Sequence, residues 1–580
     1  MSKIHLNKIL RHATMCGMMV VLLVGATVAQ AQISKPVLVV SLPSMSELLA
    51  NIDFLGSLGG QPGASQMVNG MLMGMTQGQG LKGLDQSRPL SLAVGVGADG
   101  QFTPVAYIPV SSTKDLTDTL EKLHVVGPAQ DDGGVMKLTA PGGQELFVRD
   151  QNGWAIVTRA KDDALPTDDP MKLLTGLNPD YDIAVRVMLQ NVPEDKKKSA
   201  IEQFRGFMEF AAAQQRQQAG DNPLATLNEK NLEQQVAAIE RLLNEADQIT
   251  IGWKIDRAAR NTYLDFGVTA VPGSQLDKEL KQMAEVRTNF AGFIMPDAAV
   301  TLNFCAKNSQ ENIDQTLTTL DQLKTKANDA IDKDQDLADD KRDSVKKVLG
   351  QFIDVIENTV KSGTSDGGAV VQLGAGKFQA AAGGFVSDGP ALEKAVKDLI
   401  TLAQGEPQFQ SQTSVKLDLE TYKNVKFHEI TVKLPDEAGD DAKKIFGDTV
   451  DVYIGAGPTS AYVAAGKGSL ELVKSIIDRS AADPNKAVPP VQMSIALTPI
   501  VDFVGSINEQ NAEHAEVIKN ALNGAPGKDH VTVNARMISN GISYRIELQE
   551  GVLKAIGAAA MAGKGGGGPK QGMQHGGPGK

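Results

Sequence analysis

Cysteine is nearly missing from this chain: Cys16 and Cys305 are the only two among 580 residues. No disulfide framework can be built from them, and the pair cannot supply a closed zinc site of Cys and His ligands. The histidines beyond the N-terminal segment are His124, His428, His514, His530 and His575, with no H-x-x-x-H pair among them, so neighbours in sequence assemble no metal site. Aromatic residues make up 4% of the chain, too few for a surface that stacks on sugars. Basic residues are outnumbered, with a formal net charge of −12. Nucleic acid and anionic lipid both demand a positive footprint, so neither is expected as a partner. Past the N-terminus there is no apolar run of the roughly 20 residues needed to span a bilayer.

The N-terminus carries the one apolar run. Lys3, Lys8 and Arg11 precede an apolar stretch from Met15 to Val28, and Ala29-Gln30-Ala31 supplies a small-x-small cleavage site. Residues 1–31 therefore read as a secretory signal peptide. A membrane anchor would need a longer run and cationic residues on its far side. A lipoprotein signal would need its cysteine at the cleavage point, whereas Cys16 opens the apolar run. Cleavage removes three basic residues and no acidic one, which deepens the acidity of what remains. The mature protein is expected in the periplasm or cell envelope, or secreted.

Residue patterning then repeats. A strand at Val37–Leu42, two helical patterns over Ser44–Leu58 and Ala64–Gly78, two strands at Leu90–Val96 and Val105–Val110 and a helix over Thr113–Leu123 form one unit. The same order starts again at Ile183, at Ala299 and at Met493. Strand-rich inserts lie between the first and second units and between the third and fourth, the former with an Asn152-Gly153 hairpin turn. The expected organisation is two tandem, pseudo-repeated halves, 32–285 and 286–562, ahead of a disordered Gly-rich tail at 563–580. Alternating strands joined by hairpin-length links predict an α+β fold, each half an antiparallel sheet covered by helices on one face.

Several apparent motifs fail on context. Gly95-Val-Gly97-Ala-Asp-Gly100 fits a dinucleotide loop, but a strand follows it where a helix must open, so a hairpin turn is expected. Gly363-Thr-Ser365-Asp-Gly367 fits a nucleophile elbow with helix and strand reversed, which leaves Ser365 as a loop serine. Asp332, Asp334 and Asp336 imitate a calcium loop, yet Leu337 stands where the turn needs Gly and Asp343 where a bidentate Glu belongs. Cys305 lies in a strand-like alternation and reads as a buried, inert thiol. No cofactor and no metal is expected.

The segment 64–78 has an unusual composition. Gly70, Gly74 and Gly78 recur every four residues beside a stripe of Met67, Met71 and Met75. On a helix these form a smooth ridge and an adaptable apolar face, a candidate packing surface within the first half or a lid over an apolar ligand.

The run Phe290–Cys305 (Phe-Ala-Gly-Phe-Ile-Met-Pro-Asp-Ala-Ala-Val-Thr-Leu-Asn-Phe-Cys), the run Asn424–Ile430 and the run Asp451–Gly466 resemble segments of large exported bacterial proteins of planctomycete type, with tandem α+β repeats and no known function. That resemblance implies export and tandem sheets and brings no catalytic residues. The expectation for function is a non-enzymatic envelope protein that binds a partner or packs structurally. Two further readings stand beside it: a periplasmic carrier of a lipid-like or other apolar ligand, and a hydrolase whose residues meet only in three dimensions.

Overall fold

A computed structural model describes residues 35–565 apart from 98–99, 162–168, 179, 220–226, 335–336, 436–438 and 508. Residues 1–31, expected to be a signal peptide, and most of the Gly-rich tail lie outside the described residues. The tail's first three residues belong instead to the last helix, which runs to Gly565.

The first unit comprises β1 (Pro36–Leu42), helices Met45–Leu58 and Ala64–Met75, β2 (Leu90–Val96), β3 (Phe102–Pro109) and helix Thr113–Lys122. Four short strands follow: β4 (Gln130–Asp132), β5 (Val135–Thr139), β6 (Glu145–Gln151) and β7 (Trp154–Thr158). Then come β8 (Ile183–Met188), helices Glu194–Ala219 and Leu227–Glu245, β9 (Ala246–Asp256), β10 (Asn261–Ala270) and helix Gln275–Met283. After the short β11 (Arg287–Thr288) the order resumes with β12 (Val300–Lys307), helices Gln310–Lys333 and Asp339–Lys361, β13 (Thr364–Gly374), β14 (Lys377–Phe385) and helix Gly389–Ala403. A second set of four strands comprises β15 (Thr413–Tyr422), β16 (Val425–Lys433), β17 (Thr449–Ala456) and β18 (Ser460–Ala465), and helix Ser469–Ala482 leads to β19 (Lys486–Ala487), which pairs with β11. The chain closes with β20 (Val491–Ala496), helices Leu497–Ile507 and Glu509–Asn523, β21 (His530–Ile538), β22 (Gly541–Gln549) and helix Glu550–Gly565.

Local chemistry sets many of the boundaries. Ser44, Ser112, Ser274 and Ser309 each accept a hydrogen bond from the backbone N–H three residues on, satisfying a donor that the first helical turn leaves free. Asn152 and Gly153 both take positive φ and turn β6 into β7, as expected of that dipeptide. Gly97 and Gly100 close the β2–β3 hairpin through Gly97 N–H to Gln101 and Gly100 N–H to Gly97, which leaves no helix N-terminus for a pyrophosphate.

Apart from β11 and β19, every strand joins one antiparallel sheet of 20 strands. Followed through its pairings from one edge, the order is β4–β5–β6–β7–β3–β2–β1–β8–β9–β10. From β10 it continues as β22–β21–β20–β12–β13–β14–β18–β17–β16–β15. Read inward from either edge, a four-strand set meets a hairpin, then two unit-opening strands side by side, then a second hairpin. The two hairpins β9–β10 and β21–β22 meet at the centre, where β10 and β22 pair from Asn261↔Gln549 to Thr269↔Gly541.

Helices cover both faces near the β15 edge, not one face as expected. Helix Ser469–Ala482 sends Leu472, Val473 and Ile476 into the largest core, against Val370, Phe427, Tyr453 and Tyr462. His428, of opposite parity to Phe427, faces helix Gly389–Ala403 on the other side. Both parities of β16–β18 carry apolar residues, Phe427, Tyr453 and Tyr462 on one face and Ile430, Val452 and Ile454 on the other, where Val463 stays exposed.

Candidate functional site

The helix carrying the methionine stripe forms, but it does not pack as expected. It spans Ala64–Met75 and packs against helix Met45–Leu58, fastened by Ser65, whose N–H and hydroxyl donate to Asp53 at 2.8 and 2.6 Å. These bonds hold the Asp53 carboxyl below its ordinary range. A Cβ built at Gly70 or Gly74 would meet nothing within 4 Å, and Met67 and Met75 are exposed while Met71 is half-buried. Gly78 is not on the ridge at all. The helix stops at Met75, and Gly78 takes φ +84° with its N–H on the Met73 carbonyl. The close approach that small residues permit occurs one helix earlier, where a Cβ at Gly56 would sit 2.9 Å from Ala64 Cβ. Among the described residues, then, the glycine ridge of the predicted packing face is open surface, with nothing against Gly70 or Gly74.

The centre of the sheet offers a second open surface, which the sequence did not single out. Opposed residues on antiparallel strands share a face. Along one row Ile183, Trp253, Leu264, Ile546, Val533, Met493 and Leu302 stand side by side, and along the next Val185, Ile251, Phe266, Tyr544 and Ala535 do. No charged residue interrupts either row. Burial is incomplete at the middle: Ile251 is 45% exposed, Leu264 and Phe266 42%, Ile546 40% and Tyr544 37%. Among the described residues, helices pack on the strip's two ends. Phe54, Leu58 and Leu553 pack on Trp253 and Ile255 at one end, and Leu280 packs with Ala270, Ala535 and Ile542 at the other. Isolated exposed apolar side chains are ordinary, whereas a contiguous apolar strip in the middle of a sheet is not. In sequence, Leu-Asp-Phe and Tyr-Arg-Ile alternate like any half-buried strand, with the charge assigned to solvent, so no signal there marked the apolar side as the open one.

Among the described residues, one group of His and carboxylate side chains has its donor atoms within 4.8 Å of one another: Glu393, Asp418 and His428. Glu393 comes from helix Gly389–Ala403, Asp418 from β15 and His428 from β16. Lys397 already fills this cluster, with its Nζ 2.7 Å from Glu393 and 2.8 and 3.0 Å from the two Asp418 oxygens, and Lys426 reaches Glu393 at 3.2 Å. The Lys397 ammonium holds Asp418 below the ordinary carboxylate range. Glu393 is also low despite its burial, through its bonds to Lys397 and Lys426. His428 is fully buried, and its Nδ1 accepts the Asp418 backbone N–H at 3.0 Å. The neutral ring therefore carries its proton on Nε2, which is buried and has no hydrogen-bond partner among the described residues. Burial, and then the charge of Lys397, push the imidazole pKa down. This is an ion-pair lock between an edge strand and a helix.

The remaining sequence candidates have structural partners. Cys305 is buried, its thiol donates to the Arg287 carbonyl at 3.1 Å, and burial pushes its pKa up to about 11, which keeps it unreactive. Ser365 lies within β13, not in a loop, and its hydroxyl accepts from Asn308 at 2.9 Å. Asp332 pairs with Lys346 between two helices, and Asp336 lies outside the described residues. No helix among the described residues is long and apolar enough to cross a membrane. No protein-family model, no curated protein sequence and no solved structure matches the chain.

Proposed function

We propose that this chain is an exported, non-catalytic binding protein that holds the hydrocarbon part of a lipid-like ligand on the open central strip of its sheet. The observation that carries this reading is the exposure of Ile251, Leu264, Phe266, Tyr544 and Ile546 side by side, in rows free of charge. At about 25 cal/mol per Å² of apolar surface removed from water, covering such a strip favours a hydrocarbon occupant, while a charged one would lose hydration without a partner. The N-terminal signal pattern supports export. The matching strand order on the two sides of β10–β22 supports two duplicated halves, with the strip on the axis that relates them. The unbroken lysine pairing around His428 supports a role other than catalysis.

The test is native purification followed by mass spectrometry of extracted lipids, with binding of an uncharged fluorescent dialkyl probe to the delipidated protein. Wild type is expected to release hydrocarbon-bearing molecules and to bind the probe in competition with them. Leu264→Glu and Ile546→Glu are expected to lose probe binding while melting within a few degrees of wild type, since both sites are half-exposed. Equal probe binding by wild type and both variants, or no bound hydrocarbon and no probe binding, overturns the proposal.

A further inference from the structure

The imidazole of His428 closes the outermost bond of the sheet near the β15 edge. β15 pairs with β16 from Thr413↔Val432 to Lys416↔Glu429 and again from Glu420↔Phe427 to Tyr422↔Val425, and the register breaks between Lys416 and Glu420. Asp418 sits in that break with φ +51°, a left-handed conformation that aspartate tolerates better than most residues and that suits a bulge. The fixing contacts are two: its backbone N–H donates to His428 Nδ1, and its carboxylate receives Lys397 from helix Gly389–Ala403. Other bulges can end in water, but this one is pinned to a side chain that is itself fully buried.

We propose that His428 is an acid-sensitive latch that releases the β15 bulge when its ring takes up a second proton. Protonation turns Nδ1 from acceptor to donor, and it then faces the Asp418 N–H donor to donor. The bond that pins the bulge is lost, and a charge appears at a site with no exposure. The charged groups facing the ring are Glu393 and Lys397 on the helix, Asp418 on β15 and Lys426 on its own strand. The carboxylates favour the imidazolium. They are outweighed by burial and the two ammonium groups, which lower the ring's pKa from the ordinary value of 6.5. Opening exposes the ring and restores its ordinary affinity for protons, so the open state binds more protons and gains population as pH falls. Between pH 7.5 and 5 the local opening constant can rise by up to about thirty-fold for one such histidine.

Hydrogen–deuterium exchange of the full mature chain at pH 7.5 and 5, corrected for the intrinsic chemical rate, reads this directly. A peptide covering 413–422 is expected to open more at pH 5 than at pH 7.5, by at most about thirty-fold, while one covering β12 changes little. His428→Gln cannot titrate, and its 413–422 peptide is expected to show the same corrected opening at both pH values. For wild type alone, NMR titration should show the His428 ring changing below pH 6.5 together with the Asp418 amide. Protection at 413–422 independent of pH, an undiminished pH response in His428→Gln, or a ring that titrates at or above 6.5 each overturns the latch.

Discussion

The two faces of the β10–β22 pair reverse the usual relation between polarity and burial. On one face Asp265 and Arg545 stand opposite each other and form two parallel hydrogen bonds of 2.7 and 2.6 Å, with Asp265 almost fully buried. Tyr181 donates its hydroxyl to Asp265 at 3.0 Å, and the guanidinium lies 3.5 Å from the centre of the Tyr263 ring. A Cβ at Gly252 would fall 2.4 Å from the Tyr181 ring, so glycine is what lets that tyrosine lie on the sheet. One residue along each strand, on the other face, Leu264, Phe266, Tyr544 and Ile546 are half open to solvent. The charged face is closed by the segment around Tyr181, because each charge there has a partner and a ring to cover it. The apolar face is left free. Register joins the two strands, and the difference between their faces lies in what the rest of the chain lays over each.

The comparison breaks most sharply at Asp265. Asp265→Ala leaves Arg545 buried without its carboxylate and removes the acceptor of Tyr181, so a loss of about 3–5 kcal/mol is expected in a denaturant melt. Buried ion pairs are weak evidence of net stability but costly to halve, and a loss comparable to that of a surface pair would show that water reaches this face. If the two faces are as different as described, Asp265→Ala must cost far more than Leu264→Glu, one residue away.

A second ion pair bounds the same seam and gives it a pH signature. Arg260, in the β9–β10 turn, donates to both oxygens of Glu550 at 2.6 and 2.8 Å, and Lys554 pairs with the same carboxylate. These contacts, Arg260 first, lower the Glu550 carboxyl from 4.5 to about 2. A depressed carboxyl stabilises the fold at every pH above its unfolded value, so this contribution is complete above 4.5 and is lost as pH falls from 4.5 towards 2. Melts of wild type and Arg260→Met across that window are expected to converge as the pH drops. Curves that stay parallel would mean that the pair contributes nothing specific.

The smallest effect is expected at the other open surface. Gly74 lies in an exposed helix, and a methyl group added there would have nothing within 4 Å. Gly74→Ala should therefore stabilise the protein by about 0.5–1 kcal/mol through helix propensity alone. Destabilisation instead would reveal a contact on the ridge, and would make this helix, not the sheet centre, the better place to seek a partner.

Much of the element order was legible from hydrophobic period and turn residues. Strand, two helices, two strands and helix follow one another at β1, β8 and β12 as the alternation predicts, because period and capping act within a few residues, whereas at β20 the pattern reads one helix over Ile500–Leu522 and two form, Leu497–Ile507 and Glu509–Asn523. The dismissal of Gly95–Gly100 as a dinucleotide loop also rested on local context and agrees with the hairpin there. The methionine ridge misled. Spacing can say that Gly70 and Gly74 share a helix face, but not whether another element lies against it.

Only the tertiary structure decided which neighbours meet. That β10 pairs with β22, nearly three hundred residues later in the chain, is a long-range choice made by whole strands, and no local pattern encodes it. The same holds for the two candidate features. Leu264 and Ile546 form one strip, and Glu393, Asp418, Lys397 and His428 one lock, only because distant strands and a helix come together. The sequence by itself determined composition, acidity, the scarcity of cysteine and much of the run of local elements, since these depend on residue types and near neighbours. Exposure, ionisation and opportunity for binding depend on what covers each face, and that is settled when the strands choose their partners.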